Sequence, residues 1–228
     1  MKIALTGGIA CGKSLFAKFL RELGIHVLDA DDVVHELEAP GGAAVSAIVA
    51  RFGSDVLAPD GGIDRAALAA RVFSDPAARV FSDATARADL ETILFPLVRA
   101  RLREATRASL PRGAAPARGS GALAASPRGI TIHVIPLLFE SHWESDYDIL
   151  LCIASPVDLQ ISRMMQSRGY SRAHAEARLA AQWPGSETAA RCHYTVMNDS
   201  TPEHLRDEAQ RLVAWLKEQV ENERRRKE

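Results

Sequence analysis

Residues 7 to 14, Gly7-Gly8-Ile9-Ala10-Cys11-Gly12-Lys13-Ser14, place glycines, a lysine and a hydroxyl at spacings suited to gripping phosphate. They satisfy the pattern G-x-x-x-x-G-K-[ST]. Glycine frees the backbone for positive φ, so successive N–H groups can turn inward as an anion nest. A helix starting there adds the positive end of its dipole. Lys13 supplies a mobile charge for β- and γ-phosphates, and the Ser14 hydroxyl suits Mg2+. A glycine-rich turn before a helix would explain Gly7 and Gly8, but not Lys13 and Ser14 at those offsets. Gly8, Ala10, Cys11, Gly12, Lys13, Ser14 and Leu15 are therefore the candidate nucleotide-binding residues, with Ser14 as candidate metal ligand. Cys11 has two readings: a thiol made reactive by the helix N-terminus, or a small residue whose side chain points outward.

Asp29 and Asp31 close a short apolar run, Ile25 to Leu28. If extended geometry persists, a separation of two puts both carboxylates on one face. One could then orient or deprotonate a hydroxyl nucleophile, as phosphoryl transfer requires. The alternative is a polar strand end with Asp31 or Asp32 capping the next helix. Arg163 and Arg178 lie in helical segments, where they either close over a transferring phosphoryl group or face solvent. Arg65 either binds a substrate phosphate or pairs with Asp64 or Asp60. Glu140 either orients substrate or a lid arginine, or serves a strand end structurally. His133 reads as a satisfied buried histidine, and Trp143, Trp183 and Trp215 as packing residues.

These side chains need a scaffold. Lys2–Thr6, Ile25–Leu28, Ile130–Ile135, Ile149–Ala154 and Tyr194–Met197 read as strands, the longer ones of the fully buried type. Leu15, Phe16, Phe19, Leu20 and Leu23 share a helix face that stops at Gly24. Strand, turn, helix and strand within 31 residues make one βαβ unit, and the alternation predicts an α/β fold with a mostly parallel sheet. Residues 32 to 105 instead have helical spacing, punctuated by Pro40-Gly41-Gly42, Pro59-Asp60-Gly61-Gly62 and Asp75-Pro76. Residues 106 to 129 are dominated by Ala, Gly, Ser and Pro with four Arg, a composition that predicts a mobile loop. Ser155-Pro156 is expected to cap and open one helix, Ser171 to cap another, and Thr201-Pro202 to begin a last one. In that last helix Leu205, Ala209, Leu212, Val213, Leu216 and Val220 share a face.

Charge narrows the function classes. The 228 residues carry 28 basic and 29 acidic side chains, a net charge of −1, which excludes a chain-wide basic field for nucleic acid. No apolar run approaches the roughly 20 residues needed to span a bilayer, and the N-terminus lacks the long apolar stretch of a signal peptide. Three widely spaced cysteines fit a reducing compartment rather than a disulfide framework or structural zinc. The expectation is a soluble, cytoplasmic protein with no membrane partner.

Thr6-Gly7-Gly8-Ile9 with Gly12-Lys13-Ser14, then Asp29-Ala30-Asp31, then Pro136-Leu137-Leu138-Phe139-Glu140, in that order, resemble the dephospho-CoA kinase family. Phe52-Gly53, Asp60-Gly61, Ile63-Asp64-Arg65 and Val72-Phe73 are similar to its helical CoA-binding region. Arg163, Ala175-Glu176-Ala177-Arg178 and Ala181-Gln182 are similar to its lid, and Asn198 to the Asn closing the last core strand. The resemblance implies a P-loop NTPase fold of the nucleoside-kinase-like type, a parallel sheet of about five strands flanked by helices. It implies a nucleotide-binding core (1–31, 130–160 and 186–228), a helical CoA-substrate-binding domain (32–105) and a lid (161–185), with 106–129 as the loop. The implied reaction is phosphorylation of the ribose 3′-hydroxyl of dephospho-CoA by ATP with Mg2+, the final step of coenzyme A synthesis. Asp31, Lys13, Arg163 and Arg178 would be catalytic, and Asp29, Arg65 and Glu140 would bind substrate. The chain departs from the family at Phe95, Ser167, Thr188 and His193, all on the substrate or lid side. The implied partners are ATP and dephospho-CoA, without nucleic acid, and the sequence sets no oligomeric state. A kinase for another nucleoside-type acceptor and a non-catalytic nucleotide-binding switch remain alternatives. The switch would tolerate loss of Asp31, so the presence of that carboxylate argues against it.

Overall fold

The apolar runs at residues 3–6, 131–134 and 149–154 form strands whose two faces are both covered. The computed structural model describes residues 1–72, 84–109 and 130–227. Its elements in chain order are β1 (Ile3–Thr6), α1 (Lys13–Glu22), β2 (His26–Asp29), α2 (Ala30–Glu38), α3 (Val45–Phe52), α4 (Arg65–Val72) and α5 (Ala84–Ser109). There follow β3 (Thr131–Val134), β4 (Ile149–Ala154), α6 (Val157–Arg168), α7 (Arg172–Ala180), α8 (Gly185–Arg191), β5 (Tyr194–Met197) and α9 (Pro202–Lys227). The five strands form one sheet in the order β2-β3-β1-β4-β5, with β1 parallel to β3 and β4, and β4 parallel to β5. β1 is the middle strand, so the segment leaving its C-terminal end lies where open α/β sheets bind ligands.

The chain divides into two compact units, Met1–Leu28 with Ser109–Glu228, and Asp29–Ala108. In the first, alternate residues of β1, β3 and β4 (Ile3 and Leu5, Ile132 and Val134, Leu151 and Ile153) point to one face. Phe16, Phe19 and Leu20 of α1 and Leu205, Leu212 and Leu216 of α9 join the same core. Each such side chain contributes about 1.5–3 kcal/mol on burial, which is why both helices show the expected apolar face. α1 stops as its glycine predicts. Gly24 takes φ 82°, its N–H donates to the Arg21 carbonyl, and the Ile25 N–H donates to the Leu20 carbonyl, each at 3.0 Å.

The second unit holds α2 to α5, with Ile48, Phe52, Val56, Leu68, Val72, Val98 and Leu102 buried. An isolated antiparallel bridge, Leu57 to Ile63, closes the expected Pro59–Gly62 turn. α5 extends through residues 106–109 because neither Pro nor Gly interrupts them, and Thr106 bonds back to the Leu102 carbonyl at 2.8 Å. Residues 106–109 of the expected loop are therefore helical, and its residues 110–129 lie outside the described residues, as do Phe73 and Asp75-Pro76. Ser171 caps α7, accepting from the His174 N–H at 3.2 Å. Ser155 does not cap α6, which starts at Val157; its hydroxyl donates instead to the Asn198 carbonyl at 2.5 Å. Among the described residues no helix is long and apolar enough to cross a membrane.

His133 is buried in β3, where its Nδ1 shares a 2.9 Å hydrogen bond with the Tyr147 hydroxyl. Burial pushes its pKa down from 6.5 to about 4, with like charge on His26 and Lys2 adding to the effect. Between those values the unfolded chain binds a proton that the folded chain refuses. The stability contribution is therefore complete above pH 6.5 and is lost as pH falls toward 4. Between pH 7 and pH 4.5 this single group should remove about 2–3 kcal/mol. Urea unfolding of the wild type and His133→Gln across that range measures it. The wild-type curve should fall more steeply by that amount, and parallel curves would assign the acid sensitivity to other groups.

Candidate active site

The segment between β1 and α1 bends sharply enough to need two of its glycines. Gly7 has φ 147°, and a Cβ there would lie 2.2 Å from the Ile153 carbonyl oxygen. Gly12 has φ 92°, and a Cβ there would lie 2.3 Å from Asn198 Nδ2. Ala10 also sits in the left-handed region, φ 58°, at a cost of order 1–2 kcal/mol that the surroundings must offset.

They do so through the loop's carbonyls. When N–H groups turn inward, carbonyls turn outward, and an unmet one costs about 1–3 kcal/mol. Lys13 Nζ donates to the Gly7 and Gly8 carbonyls at 2.6 and 2.8 Å. Gln160 Nε2 donates to Ile9 O at 2.7 Å, and Arg163 Nη1 donates to Ala10 O at 3.2 Å. Asn198 Nδ2 donates to Cys11 O at 2.8 Å. Every carbonyl from Gly7 to Cys11 thus has a side-chain donor. On the inner side, Gln182 Oε1 accepts the Ile9 N–H at 2.9 Å. Ser14 and Leu15 are exposed at the start of α1.

The expected residues divide by position. Arg163 is not a free lid cation. Besides Ala10 it donates to Ser155 Oγ at 2.9 Å and to the Asn198 O and Oδ1 at 3.3 Å each. Arg178 is exposed on α7, where its Nε donates to His174 Nε2 at 3.2 Å and its guanidinium lies 5.1 Å from the Tyr170 ring centre. Glu140 is partly buried, and its Oε1 accepts the Trp183 N–H at 3.4 Å. Thr6, Gly7, Gly8, Phe139, Glu140, Gln182, Trp183 and Thr188 line one pocket beside the loop. Thr6 ties the loop strand to the Pro136–Glu140 motif by donating to the Pro136 carbonyl at 3.3 Å.

Three expectations change. Asp29 and Asp31 do not share a strand face, because α2 begins at Ala30. Asp29 is the N-cap, its Oδ1 accepting the Asp31 N–H at 3.0 Å, and Asp31 stands exposed in the first turn beside Asp32. The cap is neither Asp31 nor Asp32. Arg65 pairs with neither Asp60 nor Asp64. Its Nε lies 3.1 Å from the buried carboxylate of Glu38, whose burial raises the pKa against the pull of Arg65. Asp64 instead caps α4, accepting from the Ala66 and Ala67 N–H groups. Cys11 points into the core rather than outward, and burial raises its pKa despite Lys13 nearby, so the reactive-thiol reading fails.

The sequence reading missed where other residues act. Trp183 lies in the pocket wall, stacked on Phe139 with ring centres 5.8 Å apart, and Arg191 lies 4.5 Å over its face. Gln160 carries a loop carbonyl from the buried side of α6. Its signal was a polar residue one helical turn before Met164, beside Ile161. Among the described residues no three His, Cys, Asp or Glu side chains gather as a metal cluster. A single hydroxyl such as Ser14 is nevertheless a fitting protein ligand for Mg2+, which keeps its waters and takes its other ligands from substrate phosphates.

A parallel sheet whose middle strand ends in a glycine loop with occupied carbonyls, beside a pocket that Gln182, Trp183 and Thr188 help to line, is a geometry suited to holding phosphate. Comparison with known proteins narrows it. The family model described as Dephospho-CoA kinase matches residues 1–114 and 117–204. The dephospho-CoA kinase of Anaeromyxobacter dehalogenans is 41% identical over 94% of this chain and 92% of its own. That of Geobacter sulfurreducens is 37% identical over 94% and 97%. A crystal structure from Thermus thermophilus, 30% identical, superposes with a TM-score of 0.69 over 95% of this chain and 97% of that one. The dephospho-CoA kinase of Campylobacter jejuni, 24% identical, shares the fold at a TM-score of 0.64 over 96% and 100%. With loop, carboxylate pair and Pro-Leu-Leu-Phe-Glu motif all inside the matched spans, the chain belongs to the dephospho-CoA kinase family.

Proposed function

We propose that this chain transfers the γ-phosphoryl group of ATP to the ribose 3′-hydroxyl of dephospho-CoA, giving coenzyme A and ADP, in the cytoplasm and without nucleic acid or membrane. The observation that carries the reading is the phosphate loop, with Lys13 at its mouth and all carbonyls from Gly7 to Cys11 occupied. Family membership supplies the acceptor.

The loop N–H groups at the start of α1 face the donor phosphates, and Lys13 exchanges its carbonyl partners for phosphate oxygens. Ser14 would hold Mg2+, which when bound would offset the negative charge of the donor phosphates. Asp31 orients the 3′-hydroxyl and receives its proton as the oxygen attacks phosphorus and the bond to the β-phosphate oxygen breaks. Asp29 supports Asp31 by capping α2. Arg65, oriented by Glu38, meets a phosphate of dephospho-CoA. Glu140 holds the lid through the Trp183 amide, and Arg178 brings positive charge to the equatorial oxygens. Arg163 acts by bracing the loop. Closure excludes water that would otherwise hydrolyse ATP. With so little covalent work to do, positioning and charge account for most of the rate.

Lys13→Ala should lower turnover by about 10²–10³-fold while the protein still folds, because a preorganised charge is removed from the developing phosphates. Coupled ADP-release assays beside thermal melts check this; near-normal turnover in a folded variant would refute the loop assignment.

Asp31→Asn should leave ATP affinity unchanged and cut single-turnover transfer to dephospho-CoA by about 10²–10⁴-fold, the range for a positioned base. Asp29→Asn should retain most activity, since Asn caps a helix as well as Asp, whereas Asp29→Ala should lose about 1 kcal/mol of stability. If Asp31→Asn transfers normally and Asp29→Asn is dead, the two roles are reversed. A panel of nucleoside acceptors assayed alongside tests the acceptor itself.

A further inference from the structure

Cys152 and Cys192 are 40 residues apart in sequence yet flank one seam between strand and helix. β4 pairs with β1 so that Cys152 lies opposite Thr6. Its side chain leaves the sheet on the opposite face from Leu151 and Ile153, away from the α1–α9 core. That face is covered by α8, which packs on β4 and whose Thr188 lines the same pocket as Thr6. Cys192 is the C-cap of α8, with its N–H donated to Ala189 O at 3.2 Å. The next residue, His193, is pinned to β4 twice. Its N–H donates to Leu150 O at 2.8 Å, and its Nδ1 accepts the Leu150 N–H at 3.0 Å.

The turn at the end of α8 sets Cys192 beside Cys152, and the two thiols share a hydrogen bond. Cys152 is fully buried, while Cys192 is partly open to solvent. The hydrogen bond holds the Cys192 thiol below its ordinary pKa against the opposing effect of burial. The same bond, together with burial, pushes Cys152 far above its own. The half-buried Cys192 is the sulfur that solvent reaches, and the buried Cys152 lies behind it.

We propose that Cys152 and Cys192 form a reversible oxidation site, converted by a peroxide into an intramolecular disulfide that ties the end of α8 to β4. The Cys192 thiolate attacks one peroxide oxygen, the O–O bond breaks, and hydroxide leaves to become water, giving a sulfenic acid. Cys152 sulfur then attacks the Cys192 sulfur, the S–O bond breaks, and the hydroxyl leaves as water with the Cys152 proton. Two thiols lose two electrons, one peroxide gains them, and two waters form. A dithiol reductant reverses the step by exchange. Cys11 is outside the couple: it is buried in the core and its sulfur accepts a 3.1 Å hydrogen bond from Gln160 Nε2.

The test uses the full chain and does not depend on catalysis, so it stands apart from the functional reading. Reduced protein is treated with hydrogen peroxide, quenched, denatured, alkylated and weighed intact. A mass lower by about 2 Da before alkylation, with one alkylated cysteine instead of three, is expected. Dithiothreitol should restore three, and proteolysis should yield a peptide linking Cys152 to Cys192. Cys192→Ser should abolish the mass change and Cys11→Ser should preserve it. Oxygen addition at Cys192 without a cross-link, a cross-link through Cys11 or between chains, or thiols untouched by peroxide would each overturn the proposal; these wild-type readouts do not require any variant to fold.

Discussion

An anion nest makes a demand opposite to its purpose: each N–H turned inward turns a carbonyl outward, where it must be met. Between Gly7 and Cys11 that demand is satisfied by four side chains, of which only Lys13 belongs to the loop. Gln160 and Arg163 come from α6 and Asn198 from the end of β5, about 150 to 190 positions away. The loop is therefore not a local motif in energetic terms. Its shape is a property of the assembled β1–β4–β5 edge. Contacts of such sequence separation form late in folding, because chain closure precedes any gain from them. Gln160, Arg163 and Asn198 hold the Ile9, Ala10 and Cys11 carbonyls independently of Lys13, so that half of the loop keeps its shape whichever partner Lys13 takes, the preorganisation on which electrostatic stabilisation depends.

Asn198 is the junction of this arrangement. Its N–H continues the ladder to Ala154, its Nδ2 holds Cys11, its Oδ1 accepts from Arg163, and its carbonyl takes both Ser155 and Arg163. Gly12 is glycine for the same reason, since a Cβ would collide with Asn198 Nδ2. Residues that read as separate features thus answer one steric and hydrogen-bonding problem. Ser155 gives up its expected role as a helix cap because its hydroxyl bridges Asn198 and Arg163.

The sheet and loop were legible because their signals are local. Apolar runs ending at glycine, the change to helical spacing at Lys13 and the stop at Gly24 each depend on a few adjacent residues. All five strands came within about one residue of their observed bounds on that basis. What stayed hidden depends on partners remote in sequence or on competition at a boundary. Nothing near Arg163 says that its guanidinium faces a carbonyl of residue 10. Arg65 has acidic neighbours at 60 and 64, yet the turn closed by Leu57 and Ile63 brings Glu38 to it instead. Trp183 reads as one of three scattered aromatics until Phe139 and Arg191 stack around it.

The carboxylates at the end of β2 show how one boundary decides a chemical role. Had the strand continued to residue 31, Asp29 and Asp31 would have been equivalent neighbours on one face. The helix begins at Ala30, and that single fact separates them. An N-cap carboxylate must accept an N–H of the first turn, so one oxygen of Asp29 is committed to the backbone of Asp31. Asp31 has no such duty and stands exposed. A base needs an oxygen free to take a proton, whereas a cap works by keeping its oxygen where it is. Capping also holds the turn that carries Asp31, so one carboxylate fixes where the other stands. The division follows from hydrogen-bond accounting at a helix terminus, where four N–H groups lack intrahelical partners and only one residue can be the cap.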